Sequence, residues 1–236
     1  MRWPSVQEIA RHVPLPPGYA LEQLGADRTR ELAAKVGEWH PDIAVGAASC
    51  FLRPEFYEEK VFLAGHAERD IMVLLIVHTA EMVGLLAFER EPDALSMFGK
   101  LLIVSPQHRN SKVGLHCLGG TAALARACGA EFAYTMATLK IPHVQAALER
   151  AGYRLLGFTP GYDREVVGNG EVKRVFEAVY AQLLVGDDGV LRPSPENMTP
   201  TARTFFAMMF PPGAPREDEA RTRALAEAGP RSLHAR

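Results

Sequence analysis

Cysteine, net charge and long apolar runs are all scarce in this sequence, and each scarcity excludes a class of protein. The three cysteines among 236 residues, Cys50, Cys117 and Cys128, are odd in number and lack metal-ligand spacing. A disulfide scaffold or a zinc module is thereby excluded, and a cytoplasmic chain with reduced thiols is expected. A net charge of −2 provides no reason to expect nucleic acid or an anionic membrane as partner. The longest apolar region, "IMVLLIVHTAEMVGLLAF", is interrupted by His78 and Glu81. It reads as two runs of strand length, not one membrane span. The first twenty residues contain neither an apolar h-region nor a small-residue cleavage site, so no secretory signal is expected.

Several motifs are missing too. Neither G-x-x-x-x-G-K-[ST] nor G-x-S-x-G occurs, and the eight histidines show no HExxH spacing. No metal is expected. "GNG" (residues 168–170) lacks the strand–helix setting of a dinucleotide motif and reads as a turn.

What remains, 47% hydrophobic, is enough for one sizeable core with appendages. "VPLPPG" is a proline-rich entry that cannot be helical. "YALEQL" follows as a short strand. "DRTRELAAKVGEW" has helical spacing, with Leu32, Val36 and Trp39 on one side and Asp27 or Thr29 as cap. A loop and a short helix precede Gly65. Strands are expected at 71–78, 82–89 and 95–104, forming an antiparallel meander.

The stretch "LLIVSPQHRNSKVGLHCLGGTAALARACGAE" runs from the third of these strands through a basic elbow into a helix. Its Leu115, Leu118, Ala122 and Ala125 recur at spacings of three and four. Then come a strand at 132–139 and the helix "IPHVQAALERAG", with Pro142 near its start and Gly152 beyond its end. Two strands, "YRLLGFT" and "VKRVFEAVYAQLL", follow, separated by the loop "PGYDRE" and a turn at "GNGE". "TPTARTFFAMMF" is a terminal helix capped by Thr199, and the segment from Pro211 is expected to be disordered.

A strand that stops at Ser105-Pro106 and turns into a helix leaves the first N–H groups of that helix without partners. With the positive end of the helix dipole and two nearby cations, those donors suit a phosphate.

The order of elements, together with two segments, resembles the GCN5-related N-acetyltransferase (GNAT) family. "VSPQHRNSKVG" is similar to its coenzyme A signature, a Val-x-Pro strand end followed by Arg/Gln-x-x-Gly-x-Gly/Ala. Arg109 takes the first motif position, Lys112 stands where the middle glycine is expected, and Gly114 takes the last. "ALERAGYRLLGF" is similar to the family's late helix with its Gly-aromatic ending, here Gly152-Tyr153.

The resemblance implies a mixed α/β (α+β) fold, an approximately seven-stranded mixed sheet flanked by helices, over residues 19–184. Residues 1–18 would be an N-terminal extension, 185–210 a C-terminal extension with a short helix, and 211–236 a tail. It implies acetyl-CoA as acyl donor and direct attack by a primary amine, small molecule or peptide. A homodimer stays open. The amides of Arg109, Asn110, Ser111, Lys112, Val113 and Gly114 would hold the pyrophosphate, and the main chain at Val104 the pantetheine.

The catalytic groups are not assigned by the resemblance. The fourth strand has no acidic residue, and Leu148 stands where relatives carry a tyrosine. Glu89, Tyr134 and His143 are the substitutes at hand. Trp39, Phe56 and Tyr57 lie in the acceptor-wall segment of relatives, although core packing is their more ordinary use. Two rival readings share the fold: a non-catalytic acyl-CoA-binding regulator, and an enzyme using a longer acyl donor.

Overall fold

The computed structural model describes residues 1–211; the tail expected to be disordered lies outside the described residues save for Pro211. Two compact units are present, Met1–Gly186 and one beginning at Asp187. The first contains α1 (Val6–His12), β1 (Tyr19–Gln23), α2 (Thr29–Trp39), α3 (Pro54–Lys60), β2 (Ile71–His78), β3 (Glu81–Glu91) and β4 (Ser96–Val104). It continues with α4 (Val113–Ala127), β5 (Phe132–Thr138), α5 (His143–Arg150), β6 (Arg154–Val166) and β7 (Val172–Leu183). The second unit contains α6 (Pro200–Met209), where Thr199 Oγ accepts from the Ala202 N–H at 3.2 Å and Pro200 opens the first turn, as expected.

One seven-stranded sheet runs β1-β2-β3-β4-β5-β7-β6. Every neighbouring pair is antiparallel except β4 with β5. Both faces of its first half are covered, so β2 reads as an unbroken apolar run. Met72, Leu74 and Ile76 join the core under α1, α4 and α5. Ile71, Val73, Leu75 and Val77 join the core under α2 and α3, where Leu32, Val36 and Trp39 are buried as their spacing predicts. The β2–β3 turn is a two-residue hairpin with Thr79 and Ala80 both at positive φ.

Four details depart from the sequence reading. Residues 1–18 are not an appendage: Trp3, Ile9 and Val13 are buried in the main core, and Ser5 with Glu8 forms a capping box that starts α1. Neither Asp27 nor Thr29 caps α2, because a 3₁₀ turn over Ala26–Arg28 leads into the helix and Thr29 Oγ donates to the Ala26 carbonyl. On α4, Ala122 and Ala125 are buried and Leu118 packs against the core as expected, but Leu115 is exposed, and Val113, Cys117, Thr121 and Leu124 complete the buried face. The "PGYDRE" segment is strand, not loop. Pro160 is tolerated there because β6 is an edge strand that need not donate outward.

Candidate active site

The fourth and fifth strands begin as neighbours and then part. Their parallel pairing covers only Ser96–Gly99 against Phe132–Thr135. Thr135 ends it: its Oγ donates to the Gly99 carbonyl at 2.8 Å. Lys100 is then skipped in the β3–β4 register, since Ala87 faces Leu101 and Phe88 faces Gly99. Such a bulge bends β4 away from β5. Beyond it, residues 101–104 pair only with β3, and residues 136–138 pair only with β7. Main-chain groups along both inner edges of the gap are left without a strand partner.

A cavity of about 300 Å³ occupies this gap. Leu118, Thr121, Leu148 and Tyr153 line it from the α4–α5 side, and His40, Phe51, Asp163, Glu165 and Glu177 from the other. It therefore pierces the sheet. Leu148 is buried where the resemblance would put a tyrosine, but Tyr153 and Thr121 share a hydroxyl–hydroxyl hydrogen bond of 2.9 Å in the same wall. That hydroxyl pair was not anticipated from the sequence.

The elbow stands at the end of β4. A 3₁₀ turn over Pro106–Ser111 leads to α4, which begins at Val113 with Lys112 as N-cap. The first bond of α4 runs from the His116 N–H to the Lys112 carbonyl, so the Gly114 and Leu115 N–H groups have no intrahelical acceptor. Val113 contributes differently from the expectation: its side chain is in the core and its N–H donates to Ser111 Oγ at 3.2 Å. Ser111 Oγ in turn donates to the His108 carbonyl.

The Arg109 side chain is engaged within the chain. Its guanidinium donates to the carbonyls of Val104 at 3.2 Å and Trp39 at 2.9 Å, tying the elbow to α2. Asn110 and Lys112 are exposed, and among the described residues no carboxylate pairs with Lys112.

Lys112 has φ 65° and ψ 4°, a left-handed conformation that glycine adopts far more readily than lysine, at the position where the resemblance expects glycine. A left-handed lysine costs about 1–2 kcal/mol, partly offset by the greater entropy a glycine would lose. Lys112→Gly should accordingly raise stability by about 0.5–1 kcal/mol, read as an increase in urea midpoint at constant slope. An unchanged or lower midpoint would contradict this account.

On the face away from α4 and α5, three carboxylates, Asp163, Glu165 and Glu177, line the cavity. Asp163 Oδ1 accepts from the N–H groups of Ala47 and Arg164, both at 2.7 Å. Glu165 is ion-paired with Lys140, which also lies 3.9 Å from Asp42. The Glu177 carboxylate has no hydrogen-bond donor among the described residues, although its carbonyl accepts from Thr159 Oγ at 3.3 Å. Burial, with repulsion from Asp163 and Glu165, raises its pKa to about 7.

These acids are far apart in sequence, and the sheet register joins them. Glu177 on β7 faces Thr138 on one side and Thr159 on the other. Residues 160–162 then stand opposite Phe176 alone, a bulge that sets Tyr162 and Asp163 at the cavity.

The raised pKa has a consequence for stability. The folded protein holds this proton more tightly than the unfolded chain, so ionising Glu177 favours unfolding. Stability contributed by the protonated form is complete below about pH 4.5 and is lost as pH rises through about 7. Glu177→Gln should remove that loss. Between pH 5 and 8 the wild type should fall by about 1 kcal/mol relative to the variant, after allowing for solvent screening at a half-buried group. Parallel pH–stability curves would refute the shift.

The substitutes named from the sequence lie elsewhere. Glu89 is paired with Lys100 at 2.6 Å. The Tyr134 hydroxyl donates to Glu91 and its ring stacks between Phe98 and Phe132. His143 is exposed at the start of α5. Trp39 and Tyr57 are core residues. No group of residues able to hold a metal ion occurs among the described residues.

The seven-stranded sheet, the parted fourth and fifth strands and the elbow together make the fold of the GNAT acetyltransferases. Spermidine/spermine N-acetyltransferase SpeG from Vibrio cholerae, in mutant forms, has a TM-score of 0.57 at 12% identity, covering 72% of this chain and 95% of that one. RimL, a ribosomal-protein alpha-N-acetyltransferase in complex with coenzyme A, has a TM-score of 0.54 at 14% identity, covering 73% and 97%. An IAA acetyltransferase from Bacillus cereus has 0.51 at 10%, covering 70% and 99%. No family model matches the sequence, and no curated protein does.

Proposed function

We propose that this protein is an N-acyltransferase that moves an acetyl group from acetyl-CoA to a primary amine by direct attack within a ternary complex. The cavity through the sheet between β4 and β5 is the observation that carries the reading. Leu118 and Thr121 of α4 line it on one face of the sheet and carboxylates line it on the other, so donor and acceptor can enter from opposite faces. The N–H groups of Gly114 and Leu115, at the positive end of α4, suit the pyrophosphate, and the exposed Lys112 adds a cation beside them. Main-chain groups of residues 101–104 that β5 leaves without a partner, apart from the Val104 carbonyl held by Arg109, suit the amides of pantetheine. An N–H there would also polarise the thioester carbonyl, and much of the rate would come from positioning the two reactants.

Neighbours of the same fold act on amines by name, spermidine in one case and a protein N-terminus in another. No helix among the described residues is long and apolar enough to cross a membrane. Action in the cytoplasm, on a small amine or a peptide, follows from this reading together with the three free thiols.

Calorimetry with coenzyme A and acetyl-CoA tests it. Binding in the micromolar range is expected, and Gly114→Glu should weaken it at least 30-fold by placing a carboxylate against the phosphates. The variant should fold, since a Cβ at Gly114 meets only side-chain methyls at 3.6 Å and beyond, and an acid suits a first helical turn. Absence of heat with every coenzyme A derivative would overturn the proposal. The buried Leu148 in place of a tyrosine favours a second reading, a non-catalytic acyl-CoA-binding regulator. Binding of acetyl-CoA with no turnover against any amine would select it, and a long acyl chain co-purifying with the protein would point to a longer donor.

A further inference from the structure

We propose that Glu177 is the group that accepts the proton of the incoming amine in this cavity. The inference rests on the acyl-transfer reading above and adds to it a named residue on β7, outside both segments that carry the family resemblance.

Three observations of geometry lead to it. Glu177 lines the cavity through the sheet, and antiparallel register sets it beside Thr138, which lines the parted end of β5. Partners on adjacent antiparallel strands point to the same face, with Cβ atoms about 5 Å apart. The Glu177 side chain is therefore one strand away from the gap where the thioester would lie.

The neighbouring carboxylates are already engaged. Asp163 is fixed by two backbone N–H groups and Glu165 by Lys140. Glu177 alone of the three carboxylates has neither a hydrogen-bond donor nor an ion-pair partner among the described residues; Glu165 makes no hydrogen bond, but Lys140 neutralises it as an ion pair. It is therefore the acid free to exchange a proton with a ligand or a bound water.

The charges around it are set for this task. Asp163 and Glu165 on β6 repel a negative charge on Glu177. Tyr162 on β6, Tyr153 before β6, Lys100 on β4 and His40 after α2 complete the titratable lining. Lys140 and Asp42 stand behind Glu165. The same carboxylates attract an ammonium, so the amine would arrive charged and meet a base that is ionised in part of the population near neutral pH.

The step balances without any further reagent. An N–H proton passes from the ammonium to the Glu177 carboxylate, directly or through one water. The freed nitrogen lone pair forms the N–C bond at the thioester carbonyl. The C–S bond breaks with its electron pair going to sulfur, and the nitrogen's second proton passes to that sulfur, directly or through water, as the amide forms. The products are the amide, the protonated thiol of coenzyme A and one proton returned to solvent from Glu177.

The test measures acetyl-CoA binding by calorimetry, and acetylation of n-butylamine, 1,4-diaminobutane and a tetrapeptide with a free N-terminus across pH 5.5–9. Wild type should acetylate at least one, with kcat/KM falling about tenfold per pH unit below about 7. Glu177→Gln should bind acetyl-CoA within threefold of wild type, lose about 100-fold in kcat and lose that acidic limb. Glu177→Ala should recover part of its rate in added formate, which a purely structural role would not allow. Glu177→Gln activity within threefold of wild type with the limb intact overturns the proposal. So does tight acetyl-CoA binding by wild type with none of the amines acetylated, which leaves the donor site standing. Failure of wild type to bind acetyl-CoA instead removes the acyl-transfer reading itself.

Discussion

Replacing Tyr57 with alanine should lower the unfolding free energy of the Met1–Gly186 unit by about 3–5 kcal/mol. Its side chain is fully buried beneath the sheet, with the rings of Phe51 and Phe56 edge-on at 6.1 and 5.6 Å. Deleting it removes a large apolar area and leaves a cavity that a strand-backed layer cannot close. The hydroxyl adds a separate term, donating to the Phe51 carbonyl at 2.6 Å. Tyr57→Phe keeps the ring and strands that carbonyl, so it should cost about 1–2 kcal/mol. Urea denaturation of the two variants separates the terms. If Tyr57→Ala lost less than about 1 kcal/mol while changing acceptor preference, the residue would belong to the acceptor wall and not to the core.

How much of this molecule can be read from its sequence depends on whether the deciding interaction is local. The sheet half made of β2, β3 and β4 is legible because its apolar runs and turn spacings are local. The elbow is legible for the same reason, since a strand end, a proline and a helix start lie within ten residues of one another. The left-handed Lys112 is consistent with the motif position but cannot be inferred from a lysine. The engagement of Arg109 is not local at all, because its acceptor on Trp39 lies 70 residues away. The capping box of α1, "SVQE", is a local signal too, but a helix of seven residues with one buried side chain has no apolar periodicity to support it.

The acid cluster was out of reach for a stronger reason. "PGYDRE" contains Pro and Gly, so as an isolated string it reads as loop. Only its pairing with β7, broken by the bulge at 160–162, makes it strand and sets Asp163 and Glu165 near Glu177. Edge strands are where local propensity and final structure disagree most, since one side of the ladder makes no demand on the residue. The most consequential carboxylate in the cavity was accordingly the one that no motif marks.

Gly46→Ala should be costly for the same wall, by about 2–5 kcal/mol, and its effect should be concentrated at the acceptor mouth. Gly46 sits at φ 89° and ψ −169°, a region open essentially to glycine alone. A Cβ there would stand 2.3 Å from both the Arg164 carbonyl oxygen and Asp163 Oδ1. Neither can yield easily: the first is backbone, and the second holds the Ala47 N–H at 2.7 Å. The segment at 47–52 must therefore lift from β6, which frees Asp163 and admits water beside Glu177. Burial is the chief cause of the raised Glu177 pKa and Asp163 the next, so both would weaken together. The pH range over which stability falls should slide from about 7 toward the ordinary carboxylate range, alongside faster amide exchange in residues 44–52 and 162–166. Gly65→Ala is the matched control. It too has a positive φ, 78°, but nothing lies within 4 Å of its Cβ, so it should cost only the backbone strain of about 1 kcal/mol and leave the Glu177 titration where it was. A Gly46→Ala protein matching Gly65→Ala in both stability and titration would show that the contact between this segment and β6 does not shape the carboxylate wall.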